Sequence, residues 1–219
     1  ISNASGYATQ AVAELCISFM IQLLRNVGKT EERCREGGTK DGLIGNLLCG
    51  KTVGIVGAGA IGKRTAALCK AFGCRVIGFN RSKITDPVID EQVSLEELLK
   101  QSDIVSLHCP LTPATRHLIN ADTLVLMKPT AFLINTSRGA LIDEPALIKA
   151  LQEHKIAGAG LDVQETEPPV EDNPLYTLDN VILTPHMGWK GLETRQRLLS
   201  ILKGNIDGFI NGKPVNVVS

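Results

Sequence analysis

The chain has 219 residues, 43% of them apolar and 4% aromatic, enough to bury a core as one large domain or one domain with extensions. Lysine plus arginine and aspartate plus glutamate number 23 each, so no overall field favours nucleic acid or an anionic membrane. Six cysteines, at 16, 34, 49, 69, 74 and 109, form no Cys-x-x-Cys pair and do not cluster with histidine, which removes the usual zinc spacings and leaves reduced thiols in a cytoplasm as the simplest account.

Ala8 to Leu24 is apolar, but Gln10, Glu14, Ser18 and Gln22 recur at intervals of four and no basic region precedes them. The pattern predicts an amphipathic helix with a narrow wet stripe, not a membrane span or signal. Ala11, Leu15 and Phe19 lie on one flank and Ala13, Ile17 and Ile21 on the other, so a second surface, such as another subunit, is expected to cover it. Beginning at Ile1 and entering this helix almost at once, the chain reads as an excerpt of something longer.

Apolar runs then begin near Thr52, Arg75, Asp103, Ala131, Ala157 and Val181, a cadence of roughly 25 residues that is the strand-helix-strand rhythm of a parallel sheet. Helix starts are signalled by Ser94-Leu95-Glu96-Glu97, a capping box, and by Asp143-Glu144-Pro145. Right-handed crossovers place helices on both faces, and ligands bind at the carboxyl ends of the strands. The first strand, Val53 to Val56, runs into Gly57-Ala58-Gly59-Ala60-Ile61-Gly62 and then a helical segment, Lys63 to Phe72. In that context the pattern is a dinucleotide site: Gly57 for the turn, Gly59 for approach of a pyrophosphate, Gly62 for close helix packing, with Ala60 and Ile61 opening the helix N-terminus. The expected fold is α/β, a Rossmann-type doubly wound parallel sheet with helices on both faces and flanking helices at each end.

At the end of the second strand, Arg75 to Phe79, a carboxylate would bond both ribose hydroxyls of NAD; here stand Asn80, Arg81, Ser82 and Lys83. Two cations and a hydroxyl suit a 2′-phosphate, so NADP(H) is the expected cofactor; the alternative is a solvated basic turn in an enzyme using NAD(H). Cys109 ends the strand Asp103 to Cys109, where packing is favoured over a nucleophile and no catalytic role is assigned. His108 and Pro110 lie where the cofactor passes, whereas His117 and His154 have no functional company in the sequence and read as structural.

Three later strand ends carry Arg138, Glu167 and His186, each of which taken alone could be an ordinary turn or surface residue. Together they form a set for a 2-keto or 2-hydroxy acid. Arg138 would grip the carboxylate, His186 would give the carbonyl oxygen its proton, and Glu167 would fix the imidazole tautomer and raise its pKa. From Thr166 to Asn180 the composition shifts to proline and acid, a loop over the sheet edge. A last helix is expected over Leu192 to Ile210, weakened by Gly204 and Gly208.

Taken in order, the glycine motif, Leu107-His108-Cys109-Pro110-Leu111-Thr112, Asn135-Thr136-Ser137-Arg138-Gly139, Gly160-Leu161-Asp162-Val163, Glu167-Pro168 and Thr184-Pro185-His186 resemble the D-isomer-specific 2-hydroxyacid dehydrogenases over nearly the whole chain. The resemblance implies a catalytic trio of Arg138, Glu167 and His186, and Asp162 beside the nicotinamide carboxamide. It also implies cofactor contacts at Cys109, Pro110, Thr136 and Gly188, with His108, Thr115 and Ser137 completing the lining that Arg138 and His186 share. Residues 1–48 become a linking helix and dimerisation segment, 49–190 the dinucleotide domain, and 191–219 a helix returning to a substrate domain absent from this sequence, leaving Leu198, Leu202 and Phe209 partly uncovered. The implied activity is reduction of a small 2-keto acid to the D-2-hydroxy acid by a cytoplasmic homodimer that binds neither nucleic acid nor membrane, and this fragment alone is expected to bind cofactor but to turn over poorly or not at all. Asn80-Arg81-Ser82 is similar to glyoxylate and hydroxypyruvate reductases, and Trp189 would narrow the pocket. 3-Phosphoglycerate dehydrogenase and a dinucleotide-sensing, corepressor-like protein are the alternatives.

Overall fold

Short apolar runs bounded by glycine and polar residues become strands β1 (Thr52–Val56), β2 (Arg75–Phe79), β4 (Ile104–Leu107), β5 (Phe132–Asn135), β6 (Gly158–Leu161) and β7 (Val181–Leu183). They are joined by β3 (Glu91–Gln92), a two-residue polar edge that apolar patterning did not predict. In the computed structural model, which describes residues 1–168 and 170–218, these strands form one sheet in the order β3-β2-β1-β4-β5-β6-β7, every neighbouring pair parallel. Pro169 of the proline-acid loop and Ser219 of the C-terminal segment lie outside the described residues.

Alternation along the strands divides the apolar side chains between two cores. Val56, Val105, Leu107, Leu133 and Leu161 pack with α4 (Leu95–Gln101), α5 (Ala121–Leu124) and α6 (Glu144–Gln152). Val53, Ile55, Ile104 and Ile134 pack on the opposite face with α1 (Thr9–Arg25) and α3 (Ala60–Ala71). The two predicted helix starts form: Ser94 and Glu97 make a reciprocal capping box at α4, and Asp143 accepts from the Ala146 amide at α6. α3 starts three residues before the expected Lys63, inside the glycine motif itself.

Much of α1 is covered by the chain itself. Ala13 and Ile17 lie against this chain's own sheet and α3, at 0% and 8% exposure, together with Cys16, Phe19 and Met20, while Ala11, Leu15 and Ile21 stay half-buried. The helix is thus integral to the dinucleotide fold. Truncating Phe19, whose exposure is 0%, to alanine would cost about 3–5 kcal/mol. Among the described residues no single helix is long and apolar enough to cross a membrane; α1 and α2 (Val27–Arg35) reach that composition only as a pair bent by 61°.

At the other end, α7 (Leu192–Ile210) continues unbroken through both glycines. Leu198 is half-buried, while Leu202, Ile206 and Phe209 are exposed along it, as the resemblance implies.

Candidate active site

The strand order reverses between β1 and β4, and at that switch point the glycine turn meets the end of β4. Gly57 has φ +99°, and a Cβ there would lie 2.6 Å from the Cys109 amide nitrogen and 2.8 Å from the His108 carbonyl carbon. A Cβ on Gly62 would lie 2.1 Å from the Gly57 carbonyl oxygen, which is the close helix packing expected of the third glycine. One on Gly59 would meet nothing within 4 Å. Gly59 is also the N-cap of α3 and supplies no side-chain cap, so the first-turn N–H groups of Ala60, Ile61 and Gly62 face outward without an intrahelical partner. Open space, free donors and a positive dipole end fit a pyrophosphate.

At the end of β2, Asn80 is half-buried, and its Nδ2 donates to the Ser82 Oγ at 2.9 Å and the Ser82 carbonyl at 3.2 Å. Arg81, Ser82 and Lys83 are exposed. Below the glycine turn, His108 Nε2 shares a 2.9 Å hydrogen bond with the Ser106 hydroxyl, while its Nδ1 is out of contact with water and has no hydrogen-bond partner. Burial pushes the His108 pKa down to about 4, so the ring is neutral at neutral pH. Burial likewise raises the Cys109 thiol, which packs beside the first core, and this favours packing over nucleophile. Thr115 closes its own turn by donating to the Pro110 carbonyl at 2.7 Å, and the Thr136 hydroxyl sits 3.2 Å from the buried Cys16 sulfur.

On the far side of the rim, Asp162 is 2% exposed and anchors the loop after β7. Its Oδ1 accepts from the Thr184 hydroxyl and the Met187 amide, the latter at 2.8 Å, and its Oδ2 accepts from the Gly188 amide at 2.8 Å. The His186 amide donates to the Asp162 carbonyl at 2.8 Å. These bonds hold His186 at φ +52°, a left-handed conformation that histidine tolerates better than most residues. His186 Nδ1 lies 2.8 Å from Glu167 Oε2, both side chains about two-fifths exposed. Two of the three expected catalytic residues are thus in contact. Arg138 stands apart and exposed, its Nη1 donating to the Ser137 carbonyl at 2.7 Å. Its turn is nevertheless fixed to the Glu167 loop, because a Cβ on Gly139 would stand 1.8 Å from the Gln164 carbonyl oxygen.

The pair opens on a cavity of about 460 Å³ lined by Asp162, Glu167, Tyr176, Leu183 and His186 among others. Tyr176 was not foreseen, and Trp189, expected to narrow the pocket, does not line this cavity; the Lys190 ammonium sits 5.8 Å from its ring centre. His117, read as lacking company, has a carboxylate partner 48 residues on: its Nε2 lies 2.7 Å from Glu165 Oε1, which also accepts from Arg116 at 2.9 Å. With the Glu165 amide bonded to Glu144 at 2.9 Å, this cluster ties the Glu167 loop to α6.

A glycine turn at the switch point of a parallel sheet, with an imidazole–carboxylate pair on the same rim, is the architecture of a dinucleotide-dependent dehydrogenase. The profile of the D-isomer specific 2-hydroxyacid dehydrogenase NAD binding domain matches residues 17–188. The chain is 42% identical to a glyoxylate reductase of Aeropyrum pernix, over 100% of this chain and 69% of that protein, and 37% identical to a hydroxypyruvate reductase of Blautia hydrogenotrophica, over 100% and 71%. Among solved structures, an acyclic imino acid reductase (Bsp5) in complex with NADPH and D-Arg superposes with a TM-score of 0.93 at 40% identity, over 100% of this chain and 70% of that one. This chain belongs to the D-isomer-specific 2-hydroxyacid dehydrogenase family.

Proposed function

We propose that the protein is an NADP(H)-dependent reductase of a small 2-keto acid, glyoxylate or hydroxypyruvate, forming the D-2-hydroxy acid. The observation that carries this reading is the 2.8 Å contact between His186 Nδ1 and Glu167 on the rim that also presents the glycine turn. Bound NADPH supplies the hydride. Glu167 occupies Nδ1 and leaves Nε2 to the substrate, so the Nε2 proton passes to the carbonyl oxygen as hydride reaches the carbon and returns in the opposite direction. Arg138, exposed and free to rotate away from Ser137, binds the substrate carboxylate in a paired fashion. Asp162, which bonds the Gly188 amide, would lie beside the nicotinamide carboxamide when the cofactor is bound.

Preference for NADP(H) over NAD(H) is supported by Asn80 standing where a ribose-binding carboxylate would sit, with Arg81, Ser82 and Lys83 exposed directly after it. Thr115, Thr136 and Ser137 extend the cofactor lining, Thr115 and Thr136 through turn and buried contacts. A homodimer through the segment after α1 is supported by Ile44 and Leu47, exposed at 90% and 69%. The apolar face of α7 is the seat of a substrate domain, in keeping with relatives that extend beyond the matched region. Free thiols, three of them buried, suit a cytoplasmic setting.

The test follows nicotinamide absorbance of the complete protein, substrate domain included, with NADPH or NADH against glyoxylate, hydroxypyruvate and 3-phosphohydroxypyruvate. Oxidation of NADPH by either of the first two is expected. Tight cofactor binding with no turnover on any acid would instead favour a dinucleotide sensor.

A further inference from the structure

Gln92 stands on β3, at the sheet edge beside the turn that ends β2, and all three hydrogen bonds of its side-chain amide go to that turn's backbone. Nε2 donates to the Asn80 carbonyl at 3.2 Å and the Ser82 carbonyl at 3.1 Å, while Oε1 accepts from the Ile84 amide at 2.7 Å. A flipped amide would set oxygen against two carbonyls and N–H against N–H, so the partners fix its orientation. Parallel pairing of Gly78 with Gln92 places this clasp in register with the strand that delivers Asn80. Inside the turn, Asn80 orients the Ser82 hydroxyl at 2.9 Å, leaving the side chains of Arg81 and Lys83 exposed.

We infer that Gln92 is a positioning residue for cofactor selectivity: it holds residues 80–84 in the shape that presents Arg81 and Ser82 to a 2′-phosphate. This rests on the NADP(H) reading above. A four-residue polar turn without the clasp samples many conformations, and ordering it on binding subtracts from affinity. That penalty falls on NADPH, which uses Arg81 and Ser82, far more than on NADH, which lacks the phosphate they would grip.

The experiment is fluorescence titration of the 219-residue chain with NADPH and with NADH, for the unmodified protein, Gln92→Met and Gln92→Ala. Methionine keeps length and charge while removing every donor and acceptor of the amide. NADPH affinity is expected to fall about tenfold in both variants, with NADH affinity within about twofold and the thermal midpoint little changed. Equal losses for both cofactors, or an unchanged NADPH-to-NADH ratio in variants of a protein that itself prefers NADPH, would overturn the inference and leave the cofactor reading intact. An unmodified chain that binds both cofactors equally would sink the cofactor reading and this inference with it.

Discussion

Glu167 and His186 are 19 residues apart in sequence and reach one another, at 2.8 Å, from loops that leave adjacent strands. The register explains how: Leu161 of β6 stands opposite Leu183 of β7, so both loops depart from the same level of the sheet. Asp162 then bonds the second loop at Thr184, Met187 and Gly188, bringing the imidazole back toward the first.

If the histidine moves the proton, His186→Ala in the complete enzyme lowers kcat by about two to four orders of magnitude while NADPH affinity stays nearly unchanged. Glu167→Gln keeps the hydrogen-bonding length but removes the charge beside the imidazole, so it lowers kcat while leaving NADPH affinity nearly unchanged. Steady-state rates of the complete enzyme, set beside cofactor titrations, check both.

The glycine turn separates two effects that are usually confounded. Gly62→Ala forces a methyl against the Gly57 carbonyl oxygen, a 2.1 Å approach to backbone, and is expected to destabilise the protein by about 2 kcal/mol or more. Gly59→Ala meets open space, so stability falls by less than about 1 kcal/mol while the methyl enters the phosphate cradle and cofactor affinity drops. Urea unfolding and cofactor titration of both variants distinguish them.

Replacing Arg81 by aspartate together with Ser82→Ala removes the phosphate donors and sets a repelling carboxylate beside Asn80. NADPH affinity is expected to fall by about a hundredfold, with NADH affinity spared. Dissociation constants for the two cofactors provide the measurement.

His108 links stability to acid. Its folded pKa, about 4, is depressed below an ordinary histidine value, so between about pH 6.5 and pH 4 the unfolded chain binds a proton that the folded one does not. Stability therefore falls as pH drops through that window and this contribution levels off below it. Between pH 7.5 and 5 the loss from this group is about 2 kcal/mol, and His108→Gln should remove it. Urea unfolding of both proteins at the two pH values tests the difference.

Six of the strands, the capped starts of α4 and α6 and the bounds of α7 were legible because each rests on local patterning: an apolar run, a Ser-x-x-Glu box, a helical period. β3 was not, since Glu91 and Gln92 carry no apolar signal and owe their pairing to β2 alone. What covers α1 was not legible, because periodicity shows which side chains seek burial, not what buries them. Glu167 and His186 could be nominated from their strand ends, but the His117–Glu165 contact spans 48 residues between two loops and leaves no pattern in the chain. The clasp of Gln92 on Asn80, Ser82 and Ile84 is equally silent, being a side chain bonded to backbone whose path only the fold determines.

At Gly139 main chain rests directly on main chain, and the same rim is stitched by the Asp162 amide to Asn135 and the Thr184 amide to Leu161. The three loops that carry Arg138, Glu167 and His186 are consequently joined to one another through main chain. A rim of this kind adapts to a different acid by exchanging what projects from it, not by reshaping its spine, so new specificities can arise without loosening the frame from which these three side chains project.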